Sequence, residues 1–157
     1  MAIELGKKAQ TFKAKANGDK EIELSDYKGQ WLVLYFYPKD NTSGCTKQAC
    51  GFSENIKAFE KLDAAILGVS PDSVKSHDNF IAKHDLKFDL LSDPEKEIAT
   101  AYESFGEKKM YGKTYMGIIR STFIIDPDGK VAAEFKNIRV KGHIEKVMEK
   151  LEELKAK

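Results

Sequence analysis

The 157-residue chain has only two cysteines, two arginines, three histidines and one tryptophan, and no excess of either charge. Against 26 Lys plus Arg stand 25 Asp plus Glu, a net charge of +1 that argues against a general nucleic-acid binder. The longest apolar run, about Trp31 to Phe36, is far short of the roughly 20 residues a membrane helix needs. The first residues, MAIELGKKAQ, carry no apolar stretch of the secretory kind, so a cytoplasmic, reducing location is expected. Two cysteines and scattered His77, His84 and His143 make a poor structural zinc set, which wants four ligands at short spacings. The histidines are expected at the surface or in packing rather than as ligands or bases. A structural disulfide is disfavoured too, because Cys45 and Cys50 would close a loop too short to gain much from it.

What remains is a soluble globular profile, 41% apolar and 32% charged, with acidic and basic residues mixed along the whole length. The length suits one domain over residues 1–157. Of the 26 cations only Arg120 and Arg139 are arginine. A chain that covers its surface with Lys reserves Arg for a place that needs a planar fork.

The order of elements follows from the hydrophobic pattern. Residues 11–16 and 21–24 flank Asn17-Gly18, a hairpin signal with positive φ expected at both residues. Trp31 to Tyr37 is unbroken apolar sequence ending at Pro38, and Ala64 to Ser70 is a second such run ending at Pro71. Both predict strands buried on two faces. Pro38 to Gly44 predicts a loop, and from Cys45 to about Leu62 the spacing of Ala49, Phe52, Ile56 and Phe59 predicts a helix. Further helices are expected over Ser73–His84, from Asp93-Pro94, and from about Gly142, where Ile144, Val147, Met148, Leu151 and Leu154 form a stripe. Phe88–Leu91 predicts a short strand. Residues 103–118 hold three glycines and little periodicity, and predict a long loop. Ser121–Asp126 and Lys130–Phe135 predict a hairpin about Pro127-Asp128-Gly129. The result is an α/β sandwich with a mixed sheet, in the thioredoxin-like order.

The chemistry gathers at Cys45. A cysteine at the first turn of a helix faces unpaired backbone N–H groups and the positive end of the helix dipole, which favour a thiolate over a thiol. Cys50 lies five residues on, which on an α-helix is about 500° of rotation and about 8.6 Å between Cα atoms. That exceeds the span of a disulfide. Two forms are therefore expected: a folded dithiol, and a disulfide with the first turns of the helix unwound.

Pro38-x-x-x-Thr42-x-x-Cys45 followed by Cys50 resembles the active-site motif of the peroxiredoxins. The stretch LYFYPKDNTSGCTKQAC, with LGVSPDS, LLSDP and GEKKMYGKTYMGIIRSTFIIDPDGK, is similar to the peroxiredoxin Q (bacterioferritin comigratory protein) subfamily over nearly all of residues 3–155. The resemblance implies a thioredoxin-like fold, with helices on both faces of a mixed sheet and an N-terminal β-hairpin. It implies Cys45 as peroxidatic nucleophile and Cys50 as resolving cysteine. Thr42 and Arg120 would bind the peroxide, backbone N–H groups at Gly44 and Cys45 would complete the site, and Pro38 would shield it. Sulfenic acid at Cys45 would condense with Cys50 to an intramolecular disulfide, which thioredoxin or a related dithiol reduces. No cofactor or metal is implied, and a monomer is expected.

Three positions depart from the usual pattern: Gln48 stands where many relatives have Glu, and Ser43 and Gln10 stand where Pro is frequent. Gln48 is expected to hold Arg120 less firmly than a carboxylate would. Arg139 matches no site of the family and is expected at the surface. Tyr111, Tyr115 and Met116 either line a substrate loop or pack it down. Two other readings use the same residues. One is a copper-binding chaperone using both cysteines and a distant His such as His143. The other is a disulfide oxidoreductase, which generally needs C-x-x-C rather than the C-x4-C found here.

Overall fold

The computed structural model describes residues 3–156. A five-stranded sheet forms the centre, in the order β5(Asp89–Ser92), β4(Ala64–Ser70), β3(Trp31–Phe36), β8(Ser121–Ile125), β9(Val131–Phe135). β3, β4 and β5 run parallel, while β8 and β9 are antiparallel, so the sheet is mixed. The unbroken apolar run of β3 divides by the period of two that a strand imposes. Val33, Tyr35 and the following Tyr37 face one core, and Leu32, Leu34 and Phe36 face the other.

The first core is covered by α1(Ser43–Glu54), α2(Ile56–Lys61) and α5(His143–Lys155), with Phe80 supplied by α3(Val74–His84). Ala49 and Phe52 of α1 meet Ile144, Val147 and Leu151 of α5 there. The two helices lie close at Gly51, where a Cβ would lie 3.0 Å from Ile144. The second core is covered by Ile98 and Ala99 of the short α4(Glu97–Ala101), by Tyr102, and by Phe12, Ala16 and Ile22 of the N-terminal segment. That segment contains the small antiparallel pair β1(Lys13–Lys15) and β2(Glu21–Glu23).

Several expectations change. The helix expected from Cys45 to Leu62 starts two residues earlier, at Ser43, and breaks at Asn55, whose side-chain amide donates to the Gly51 carbonyl at 2.8 Å. Pro94 lies ahead of α4, not in its first turn. The helix is instead held by the Asp93 carboxylate, which accepts from the backbone of Ile98 (3.2 Å) and Ala99 (2.9 Å). At the first hairpin the positive φ angles fall on Gly18 (71°) and Asp19 (57°), not on Asn17. The Asn17 side chain instead bonds Asp89 and the backbone of Leu90, tying the hairpin to β5.

The largest difference is at residues 103–118. In place of a loop there is a hairpin, β6(Phe105–Met110) and β7(Lys113–Ile118), paired in register from Phe105↔Ile118 to Met110↔Lys113. Its two-residue turn, Tyr111-Gly112, has both φ angles positive (52° and 76°), as the favoured hairpin turn requires. Only the base of the hairpin, Ile118 and Phe105, reaches the second core, and the rest stands away from both. Tyr111, Tyr115 and Met116 are exposed (95%, 41% and 61%), so they do not pack the segment down. No helix among the described residues is long and apolar enough to cross a membrane.

Candidate active site

The site lies where β3 gives way to α1. Tyr37 ends the buried run, Pro38 begins the loop, and Asn41 turns the chain through a left-handed conformation (φ 63°). Thr42 stands just ahead of the helix with extended backbone (φ −86°, ψ 156°), and its carbonyl accepts from the Thr46 N–H at 2.8 Å. The Thr42 hydroxyl does not cap the helix. It turns back and donates to the Lys39 carbonyl at 2.8 Å. With its proton engaged there, the oxygen keeps lone pairs free to accept from a ligand.

Cys45 is the third residue of α1 and 1% exposed. The backbone N–H groups of Ser43, Gly44 and Cys45 precede the first helical hydrogen bond and have no partner within the helix. Arg120, between β7 and β8, reaches across 75 residues of sequence to the sulfur. Its Nη2 donates to Cys45 Sγ at 3.1 Å, and its Nη1 donates to Gln48 Oε1 at 2.7 Å. The backbone of Arg120 is fixed in turn, because its carbonyl accepts from the Ile138 N–H at 3.0 Å. Gly44 leaves room for the fork: a Cβ there would lie 3.4 Å from Nη2.

Gln48, one turn after Cys45, is fully buried, and its amide Nε2 has no hydrogen-bond partner. The expected contact to Arg120 therefore exists, but through a neutral oxygen, and at the cost of one buried N–H₂ left unpaired. Tyr35 shares the core with Cys45, and its hydroxyl is likewise buried without a partner. Burial, then the charges of Cys45 and Asp40, hold this phenol protonated well above its usual range. Gly68 of β4 makes space for the ring, since a Cβ would come within 2.9 Å of Tyr35 Cζ and Oη.

Cys50 sits two turns into the same helix, half-buried against the first core. Burial, and secondarily the Glu54 carboxylate one turn on, push its thiol pKa up. Both cysteines are free thiols on one continuous helix. Thr42, Gly44, Cys45, Gln48 and Arg120 are thus brought together. Pro38 is half-buried at the head of the loop, and Arg139 is exposed. Of the histidines, His77 and His143 are buried, in keeping with packing roles. Both are also hydrogen-bonded: His143 Nε2 to the Thr122 hydroxyl at 2.8 Å, and His77 to Asp40 and the Leu91 carbonyl. Burial, and then the charges of Lys146 and Arg120, lower the His143 pKa to about 4. A copper site would need His143 beside both cysteines, whereas the ring is engaged with Thr122 and Cys45 with Arg120. No group of three or more His, Cys, Asp or Glu placed to hold a metal ion occurs among the described residues.

The polar residues behind the loop had no signal in the sequence. Asp40 lay in a segment legible only as loop, and its partner His77 is 37 residues away.

Comparison with known proteins places these features in a family. Residues 5–134 match the AhpC/TSA family. Peroxiredoxin Bcp of Bacillus subtilis is 46% identical over 157 residues, covering all of both chains. A Xylella fastidiosa PrxQ structure superposes with a TM-score of 0.90 at 40% identity, covering 97% of each chain. The bacterioferritin comigratory protein of Xanthomonas campestris, whose structures concern alkyl peroxide reduction, gives a TM-score of 0.86 at 42% identity and 90% coverage of each. With its thioredoxin-like mixed sheet and two cysteines on one helix, this chain belongs to the AhpC/TSA family, and within it to the Bcp or peroxiredoxin Q type of peroxidase.

Proposed function

We propose that Cys45 is the nucleophile that reduces hydrogen peroxide and small organic hydroperoxides, and that Cys50 resolves the product. The observation that carries the proposal is the 3.1 Å contact from the Arg120 guanidinium to the Cys45 sulfur. A fixed cation favours the thiolate before reaction, and it stabilises the charge that appears on the departing oxygen.

The peroxide donates its O–H to the Thr42 hydroxyl and lies against the free N–H groups of Gly44 and Cys45. The sulfur attacks the near oxygen, an S–O bond forms, and the O–O bond breaks. The leaving oxygen takes up a proton and departs as water or alcohol. Cys45 is now a sulfenic acid. Pro38 keeps bulk water from the reacting atoms.

Cys50 then displaces the hydroxyl, releasing water and forming the Cys45–Cys50 disulfide. On a continuous helix the two Cα atoms are about 8.6 Å apart, beyond disulfide reach, so the helix must open between them. Opening also removes Cys50 from the apolar contacts and the Glu54 charge that keep it protonated. The unwound, exposed disulfide is a substrate for exchange with an external dithiol, and thioredoxin is the proposed reductant. The protein works as a monomer in the cytoplasm.

A coupled assay with thioredoxin, its reductase and NADPH tests this reading. Peroxide-dependent NADPH consumption is expected for the native chain and abolished by Cys45→Ser. Full activity in Cys45→Ser would overturn the assignment.

A further inference from the structure

Behind the Pro38–Thr42 loop lies a buried polar cluster that the reaction does not use. Asp40 is 4% exposed, His77 is fully buried, and their side chains are hydrogen-bonded at 2.7 Å between Oδ2 and Nδ1. The same carboxylate accepts from the Tyr37 hydroxyl at 2.6 Å and the Ser76 hydroxyl at 2.9 Å. Its own backbone N–H donates to the Asp72 carboxylate at 2.8 Å. The second nitrogen of His77 meets the Leu91 carbonyl at 3.0 Å. Both ring nitrogens thus face oxygen atoms of the protein.

A buried polar pair is a poor source of net stability, because desolvation offsets most of the attraction, and an apolar pair of the same volume often does as well. What such a pair supplies is a fixed geometry. Here it fixes the residue between Lys39, whose carbonyl holds the Thr42 hydroxyl, and Asn41, whose left-handed backbone turns the chain into α1. Asparagine takes that conformation readily, so what the cluster adds is to fix where the turn sits: Asp40 is held through its carboxylate by Tyr37, Ser76 and His77 and through its backbone N–H by Asp72.

The geometry points to Asp40 and His77 as positioning residues for peroxide reduction: from α3 they set the backbone of residues 39–42, and through it the Thr42 hydroxyl, without touching the substrate. This deepens the proposed function and rests on it. The readout is a ratio. The rate at which Cys45 reacts with hydrogen peroxide depends on Thr42. The rate at which it is alkylated by iodoacetamide reports only the ionisation and access of the sulfur.

Both rates are measured in single-turnover on the full chain carrying Cys50→Ser, so that one thiol is read. His77→Leu is expected to lower the peroxide rate about tenfold, since small misplacements of a positioning group cost on that order, and to leave alkylation within about twofold. His77→Asn keeps a donor toward Asp40 and is expected to recover most of the loss. An unchanged peroxide rate in His77→Leu, or an equal fall in both rates, overturns the inference. Should His77→Leu not fold, Tyr37→Phe and Ser76→Ala each delete one donor to Asp40. They are expected to lower the ratio about threefold each, and an unchanged ratio in both overturns it. A Cys45 inert to peroxide before any change at Asp40 or His77 would instead sink the proposed function itself, and this inference with it.

Discussion

The two cysteines lie on the same helix, five residues apart, in opposite environments. Cys45 is sealed in the first turn, with a guanidinium at 3.1 Å and helix N–H groups around it. Cys50 is half-exposed beside apolar side chains, and burial and Glu54 hold it protonated. The difference is one of timing. In the proposed reaction the first sulfur is prepared by the folded helix, while the second is kept unreactive by it and released when the helix opens, so that a single element orders the two half-reactions.

Removing the second sulfur tests that contrast most severely. Cys50→Ser is expected to reduce thioredoxin-dependent turnover to background, yet still consume one equivalent of peroxide at about the native rate. Single-turnover thiol titration beside the coupled assay checks it, and a slowed first step would mean that Cys50 also prepares Cys45. Next in size, Arg120→Met strips the first sulfur of its cation. A fall of about a hundredfold in the rate of Cys45 oxidation is expected, the scale of losing one preorganised charge-stabilising donor, read by stopped-flow with Cys50→Ser present. That loss would bring the first sulfur closer to the second in reactivity.

A smaller effect is expected at the support of the fork. Gln48→Met removes the 2.7 Å anchor of Nη1 and the unpaired amide together. Oxidation of Cys45 is expected to slow about fivefold, the cost of about one neutral hydrogen bond, with little change in thermal stability because the unsatisfied N–H₂ disappears as well. A last effect lies near Cys45 but outside the reaction. The folded His143 ring takes its proton only at about pH 4, whereas a free ring takes it near 6.5. Protons therefore favour the unfolded chain between these values, and stability is full above pH 6.5 and declines as pH falls toward 4. Denaturant titrations across that range are expected to show a loss of up to about 3 kcal/mol, absent in His143→Gln.

Legibility in the sequence followed the same division between sealed and open parts. The central strands were readable because burial on two faces demands unbroken apolar runs, as in Trp31–Phe36 and Ala64–Ser70. Rarity narrowed the planar fork to Arg120 or Arg139, and the position just before the Ser121 strand, with the family resemblance, pointed to Arg120. The β6–β7 hairpin was not readable: only its base, Phe105 and Ile118, reaches a core, so no sustained alternation marks it, and its turn uses Tyr111 where Asn or Asp would have signalled. The Asp40–His77 pair was hidden for another reason. A polar contact across 37 residues leaves no local periodicity, and only the fold brings its two halves together.

The account stands or falls on the order in which these sulfurs react. Mass spectrometry of the reduced chain after one equivalent of hydrogen peroxide, with thiol counting and peptide mapping, tests it directly. Loss of both thiols is expected, with a mass lower by two hydrogens and a single peptide cross-link from Cys45 to Cys50. Oxidation confined to Cys50, or both thiols surviving while peroxide is consumed, would contradict it.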